Sequence, residues 1–133
     1  MTVTVDASDL TKLGAQFNAV PKIAIPFVNK AVQVNAFKIK KAWNSKLYRD
    51  GHAKRTGYSI TYDITVHAAD VTAEIGAVRG SGRQAYITRL LEYGSANNGP
   101  HGYGSAALDE NTADLETGLA RALADAERAA GIA

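Results

Sequence analysis

The feature that most constrains the fold is a change in the period of the apolar residues near the middle of the chain. In residues 58–66 apolar side chains occupy every second position, and the same alternation runs through residues 71–77. A period of two places these side chains on one face of a β-strand. The two runs follow each other closely, so they predict an antiparallel hairpin with one buried and one solvated face.

A helical period precedes the hairpin. In residues 27–47 apolar side chains recur at steps of three and four, which predicts an amphipathic helix of about six turns. Pro26 suits its first turn, where a missing N–H has no consequence, and Gly51 suits its C-terminal cap.

A second amphipathic pattern follows toward the C-terminus. Asn111 or Thr112 is a typical N-terminal cap, and Asp114 and Glu116 suit a first turn. Gly131 lies beyond the last apolar residue of the pattern. These signals predict a C-terminal helix that starts near residue 111.

Three further segments are less regular. The threonine–valine alternation of residues 2–5 suits a short edge strand or an extended arm. Leu10, Leu13 and Phe17 then recur at helical steps before Pro21, which predicts a short first helix. Residues 84–94 fit a strand or a short helix ending at Gly94, and we favour the helix.

These elements predict one α+β domain over residues 1–133, with an extended arm at residues 1–7 and a mobile loop at residues 94–104. A small antiparallel sheet of about three or four strands is packed by the long N-terminal helix and the C-terminal helix. Alanine supplies much of the apolar share, and the chain has three Phe and one Trp. Alanine buries little area, so we expect a thin core that favours self-association.

Charge is unevenly distributed along the chain. Between residues 30 and 55 there are eight lysines or arginines and one acid, Asp50, whereas six acids and two arginines follow from residue 109. Opposite charges of this kind suit nucleic acid, or faces of different sign that meet between subunits. The candidate basic face, lining a DNA channel or a subunit seam, consists of Lys38, Lys40, Lys41, Lys46, Arg49, Lys54 and Arg55.

Patterns typical of catalysis or cofactor binding are weak. The chain has no cysteine, and its three histidines, His52, His67 and His101, lack the spacing of metal ligands. His101 could act as a general base oriented by Glu92 or Asp109, but nothing in the sequence places a nucleophile beside it. The glycine-rich loop lacks the lysine and hydroxyl of a phosphate-binding loop. We therefore expect no enzyme activity, no metal and no cofactor.

No sequence pattern predicts a membrane association. Residues 1–10 lack the basic and apolar parts of a signal peptide, and no apolar run reaches the roughly 18 residues of a membrane span. We expect a soluble product made in the cytoplasm.

The order of several short motifs resembles a known family. Residues 91–95, Leu-Glu-Tyr-Gly-Ser, are similar to the Val-Glu-Phe-Gly-Thr turn of the neck, or tail-completion, proteins of long-tailed bacteriophages. Thr56 and Gly57 upstream, followed by residues 59–60, match that family's Thr-Gly and Ser-Ile pair. Residues 103–108 keep an aromatic residue and the Ala-Leu step of its helix start, but they lack its second proline. The resemblance spans roughly residues 30–123.

This resemblance implies a structural virion protein without catalysis. Such proteins form a ring, commonly a hexamer, at the head–tail junction, where they join head-completion or stopper proteins to the tail and let DNA pass through. Its partners would be copies of itself and the adjacent stopper, tail-terminator or tail-tube proteins, with passive DNA contact. The loop that would contact a neighbouring subunit or ring contains Gly94, Ser95, Asn97, Asn98, Pro100, His101 and Tyr103.

Two alternatives stay open. A tail terminator, which caps the tail tube, has a similar size and an adjacent position, and this sequence does not separate the two. A small basic DNA-binding protein is the alternative from another class.

Overall fold

A computed structural model describes residues 2–6, 12–18, 22–50, 60–67, 70–77, 92 and 101–131. The elements in chain order are β1 (Thr2–Asp6), β2 (Lys12–Asn18), a 3-10 turn (Lys22–Ala24), α1 (Ile25–Arg49), β3 (Ile60–His67), β4 (Asp70–Ala77) and α2 (Tyr103–Ala129). Two long helices and an antiparallel sheet confirm the predicted α+β class.

The strands form one sheet in the order β1-β2-β4-β3. β3 and β4 form the predicted hairpin, in which Tyr62 lies opposite Ile75 and Ile64 lies opposite Ala73. Apolar side chains therefore face each other across the two strands, which is the pairing that stabilises a sheet. On β3, the intervening Thr61, Asp63 and Thr65 are exposed, as the alternation predicts.

The predicted first helix is wrong. Residues 12–18 form β2, which pairs with β1 on one side and with β4 on the other. Leu13 lies opposite Ile75, and Phe17 lies opposite Val71. The helical spacing of the apolar residues is a local signal only, and backbone pairing on both sides outweighs it. Of the two alternatives for the N-terminus, the structure has the edge strand, with residues 2–6 paired in the sheet.

α1 follows the predicted apolar stripe. A 3-10 turn leads into Ile25, and Pro26 lies in the first turn. The helix ends at Arg49, and the backbone N–H of the C-cap residue Asp50 donates to Leu47 O at 3.1 Å. Gly51, the predicted C-terminal cap, lies outside the described residues. The buried side chains of the predicted stripe are Val28, Val32, Ala36, Ile39, Trp43 and Leu47.

α2 begins earlier than predicted. It starts at Tyr103, so Asn111 and Thr112 lie in its third turn and do not cap it. Their side chains donate to the carbonyl groups four residues earlier, at 2.8 Å and 2.9 Å. Asn and Thr make such bonds inside helices as well as at caps, which explains the wrong boundary. Tyr103 and Gly104, the last two residues of the predicted mobile loop of residues 94–104, therefore lie in α2, and residues 94–100 lie outside the described part.

The core has two clusters between the helices and the sheet. One joins the first half of α1 to Val71, Ala73 and the second half of α2, and the other surrounds Trp43. Alanines recur in both clusters. Within the described segments, neither helix is long and apolar enough to span a bilayer.

Candidate assembly surface

The end of α1 meets the start of α2 around Trp43. The Trp43 side chain is fully buried, and a Cβ placed on Gly104 would lie 2.7 Å from its ring. Glycine at position 104 therefore lets the backbone of α2 approach the indole ring directly. The two helices are therefore in close contact at this point.

Glu92, from another segment of the chain, caps the N-terminus of α2. Gly102, the residue before α2, has a φ of 62° and makes no side-chain cap. The Glu92 side chain is 2% exposed, and its Oε1 accepts the backbone N–H of Gly104. A carboxylate at this place satisfies free N–H groups and interacts well with the helix dipole.

Burial makes the charge on Glu92 costly. Desolvation raises the pKa of its carboxyl, and hydrogen bonds from the backbone of Gly104 and Ser105 oppose that rise. The second oxygen, Oε2, is buried without a hydrogen-bond partner. Glu92 therefore acts here as a structural cap, and among the described residues it makes no hydrogen bond to His101.

His101 and Tyr103, from the predicted contact loop, lie together beside this junction. Their rings stack with centroids 5.2 Å apart, and His101 Nδ1 lies 3.4 Å from Tyr103 Oη. Tyr103 Oη also donates to Asp50 Oδ2 at 2.7 Å. The hydrogen bond with Asp50 raises the pKa of Tyr103. The other loop residues named above, Gly94, Ser95, Asn97, Asn98 and Pro100, lie outside the described residues.

An open groove of about 780 Å³ runs between α1 and α2. Its floor includes Asn35, which is 3% exposed and whose Oδ1 has no hydrogen-bond partner. Gly118 of α2 lies against the amide of Asn35, so the helices approach closely at this point. The rim carries charges of both signs, so the groove favours neither anionic nor cationic ligands.

The predicted basic residues do not share one face of α1. Lys38 and Lys46 turn toward α2, where their Nζ atoms lie 4.0 Å from Asp114 and 2.6 Å from Glu110. Lys40 instead lies over the ring of Tyr62 on β3, 5.9 Å from its centroid. Lys41 and Arg49 are exposed, and Lys54 and Arg55 lie outside the described residues. Part of the charge complementarity expected between subunits is therefore satisfied within one chain.

A different row of side chains covers the outer face of α1. We call it the α1 outer row, and it consists of Lys30, Val34, Phe37, Lys41, Asn44 and Tyr48. Val34, Phe37 and Tyr48 are 49%, 51% and 63% exposed, which is high for large apolar side chains. The steps of three and four place the six residues on one helix face over about 27 Å. The row could have been found from this spacing, which forms a second stripe beside the buried one.

The described residues contain no group of three or more acidic or histidine side chains placed to hold a metal ion. His101 makes no hydrogen bond to Glu92 or Asp109 in this part of the chain, so the general-base arrangement is not assembled there. Comparison of the chain with protein-family models, curated proteins and solved structures gives no match.

Proposed function

We propose that this chain is a non-enzymatic structural subunit that assembles with copies of itself into a ring, commonly a hexamer in the family it resembles. The observation that carries self-assembly is the α1 outer row. Three large apolar side chains about half exposed on one helix face are typical of a surface that another protein covers. The lysines between them favour an acidic partner surface.

The proposed place of the ring is the neck of a long-tailed phage, between the head-completion or stopper proteins and the tail. This part of the proposal is supported by the order of the short motifs in residues 56–60, 91–95 and 103–108. The ring would let the genome pass through its centre, and the tail-terminator position is the alternative within the same particle.

The experiment is electron microscopy of virions that carry this chain, with the density of the neck compared with the α1–α2 pair and the four-stranded sheet. Density for a ring that fits this fold at the head–tail junction supports the proposal. Density that fits it in the ring capping the tail tube identifies a tail terminator. Particles in which no ring accepts the fold would contradict the proposal.

A second candidate is binding to nucleic acid, because Phe37 and Tyr48 alternate with Lys30 and Lys41 on the same face. Exposed aromatic rings between cations can stack on bases while the cations contact phosphates. Fluorescence anisotropy with labelled single- and double-stranded DNA tests this candidate. Affinity that falls steeply with salt, and that Phe37→Ala weakens on single strands, would favour it over assembly.

A further inference from the structure

The outer face of α2 has the same spacing as the α1 outer row and the opposite chemistry. We call it the α2 outer row, and it consists of Asp109, Ala113, Glu116, Ala120, Leu123 and Glu127. All six side chains are exposed except Leu123, which is partly buried. The steps along α2 are again three and four, so this row also follows one helix face. One row carries cations and large apolar groups, and the other carries acids and mainly small side chains.

We infer that the α1 outer row of one copy packs antiparallel against the α2 outer row of a second copy, with Phe37 opposite Ala120. This register brings Lys41 opposite Glu116 and Lys30 opposite Glu127. Large side chains then lie opposite small ones, as close helix packing requires, and each cation lies opposite an acid. The inference rests on the proposed self-assembly and names the surfaces that carry it.

The remaining positions fit the same register. Tyr48 lies opposite Asp109, so its hydroxyl can donate to a carboxylate, and Val34 lies opposite Leu123. A parallel register that places Lys30 opposite Asp109 would instead set Phe37 against Glu116 and leave Lys41 against Ala120. That arrangement buries an acid against an aromatic ring and leaves a cation unpaired, which is unfavourable. The antiparallel direction is therefore the one that the side chains favour.

The charges of both rows are available for this contact. In the part of the chain that the structure describes, Lys30, Lys41, Asp109, Glu116 and Glu127 form no ion pair. By contrast, Lys38 and Lys46 already pair with α2 of their own chain. The two kinds of lysine on α1 therefore have separate roles, one within the chain and one between copies.

The geometry of the chain suits a repeating contact. The end of α1 lies beside the start of α2, so the two helices are antiparallel within one copy. A second copy bound through the proposed register continues this alternation of antiparallel helices. Because the two rows belong to different faces of one molecule, the contact is heterologous, and such contacts generate closed rings or open filaments.

Disulfide trapping tests the register, since the chain has no cysteine of its own. Phe37→Cys and Ala120→Cys chains are mixed at high concentration and oxidised with glutathione disulfide. We expect a cross-linked heterodimer in the mixture and little cross-linking of either variant alone. Phe37→Cys mixed with Thr65→Cys, an exposed position on β3, is the matched control.

Charge reversal provides the second measurement. We expect Lys41→Glu to weaken self-association by about tenfold or more, and Glu116→Lys added to the same chain to restore it, as measured by sedimentation. Cross-linking no greater than in the Thr65→Cys control, or mainly between identical Phe37→Cys chains, would overturn the inference. A further outcome is that the Phe37→Cys and Ala120→Cys chains fail to cross-link although the chain still forms a ring in the virion neck. That result would overturn this register alone and leave the proposed function standing.

Discussion

The hydroxyl of Tyr103 donates a 2.7 Å hydrogen bond to the carboxylate of Asp50, which ties the first residue of α2 to the C-cap residue of α1. An acid at the C-terminus of a helix is unfavourable for that helix, because the dipole is negative there. The N-terminus of α2 and the Tyr103 hydroxyl offset this effect for Asp50. The bond therefore stabilises the crossing of the two helices that carry both outer rows.

Removing this hydroxyl should destabilise the fold modestly. We expect Tyr103→Phe to lower the free energy of unfolding by about 1 kcal/mol at neutral pH, because a hydrogen bond to a partly exposed carboxylate is lost. Urea unfolding at low protein concentration measures the change. Tyr48→Phe is the matched control, since Tyr48 is 63% exposed. An effect of Tyr103→Phe no larger than that of Tyr48→Phe would contradict the assigned role.

The same bond predicts a change at alkaline pH. The pKa of Tyr103 is raised in the folded state, so its stabilising contribution is present below the tyrosine pKa of about 10 of the unfolded chain. The contribution is then lost as the pH rises through the higher folded-state pKa. An absorbance titration at alkaline pH should show that Tyr103→Phe removes one tyrosine that ionises above a pH of about 10.

Gly104 should resist replacement even by alanine. Inside a helix this exchange is usually favourable by up to about 1 kcal/mol, but a Cβ here would lie 2.7 Å from the buried Trp43 ring. We expect Gly104→Ala to lower the free energy of unfolding by about 1–3 kcal/mol through overpacking. Circular dichroism during urea unfolding measures this change.

The clash can be separated from other effects by a double-mutant cycle. In a Trp43→Leu background the smaller side chain leaves room for the new methyl group, so Gly104→Ala should become neutral or stabilising. An equal loss of stability in both backgrounds would mean that the indole ring is not the cause.

Some elements of this fold could be predicted because their signals are local. The alternation in residues 60–66 and the three- and four-residue steps around Trp43 each fix a face of one element, and the structure has the hairpin and α1 where they predict them. The opposite holds for β2, whose state depends on pairing with β1 and β4. Such pairing joins residues far apart in the chain, and no local spacing reveals it.

The start of α2 shows the same limit. Asn111 and Thr112 are good capping residues, but Glu92, twelve residues before Gly104, supplies the acceptor at the true start. A carboxylate that reaches a helix from another segment leaves no pattern in the sequence of the helix. The α1 outer row, by contrast, could have been predicted, because Val34 and Phe37 repeat at helical steps outside the buried stripe.

The contribution of Glu92 to the free energy of unfolding should be larger at acidic pH than at neutral pH. Burial raises the folded-state pKa of Glu92, so the stability that Glu92 contributes is fully present below the unfolded-state pKa of about 4.5. The contribution falls as the pH rises through the higher folded-state pKa. We expect Glu92→Gln, which keeps an acceptor oxygen but does not titrate, to reduce this loss of stability.

Urea unfolding at several pH values between 4 and 8 measures the effect of Glu92. Glu116→Gln, an exposed carboxyl on α2, controls for the loss of one negative charge. If Glu92→Gln and Glu116→Gln change the pH dependence of the unfolding free energy by the same amount, burial of Glu92 does not cause that dependence.

The two ion pairs between α1 and α2 should differ in strength. Lys46 and Glu110 approach to 2.6 Å with the lysine side chain 21% exposed, whereas Lys38 and Asp114 are 4.0 Å apart and 49% and 63% exposed. Exposed pairs contribute little because water screens them. Double-mutant cycles with Lys→Met and acid→amide exchanges should give a coupling free energy of about 0.5–1 kcal/mol for the first pair and close to zero for the second. Repeating the cycles at high salt should reduce the first value, and equal coupling for both pairs would show that distance and burial do not decide it.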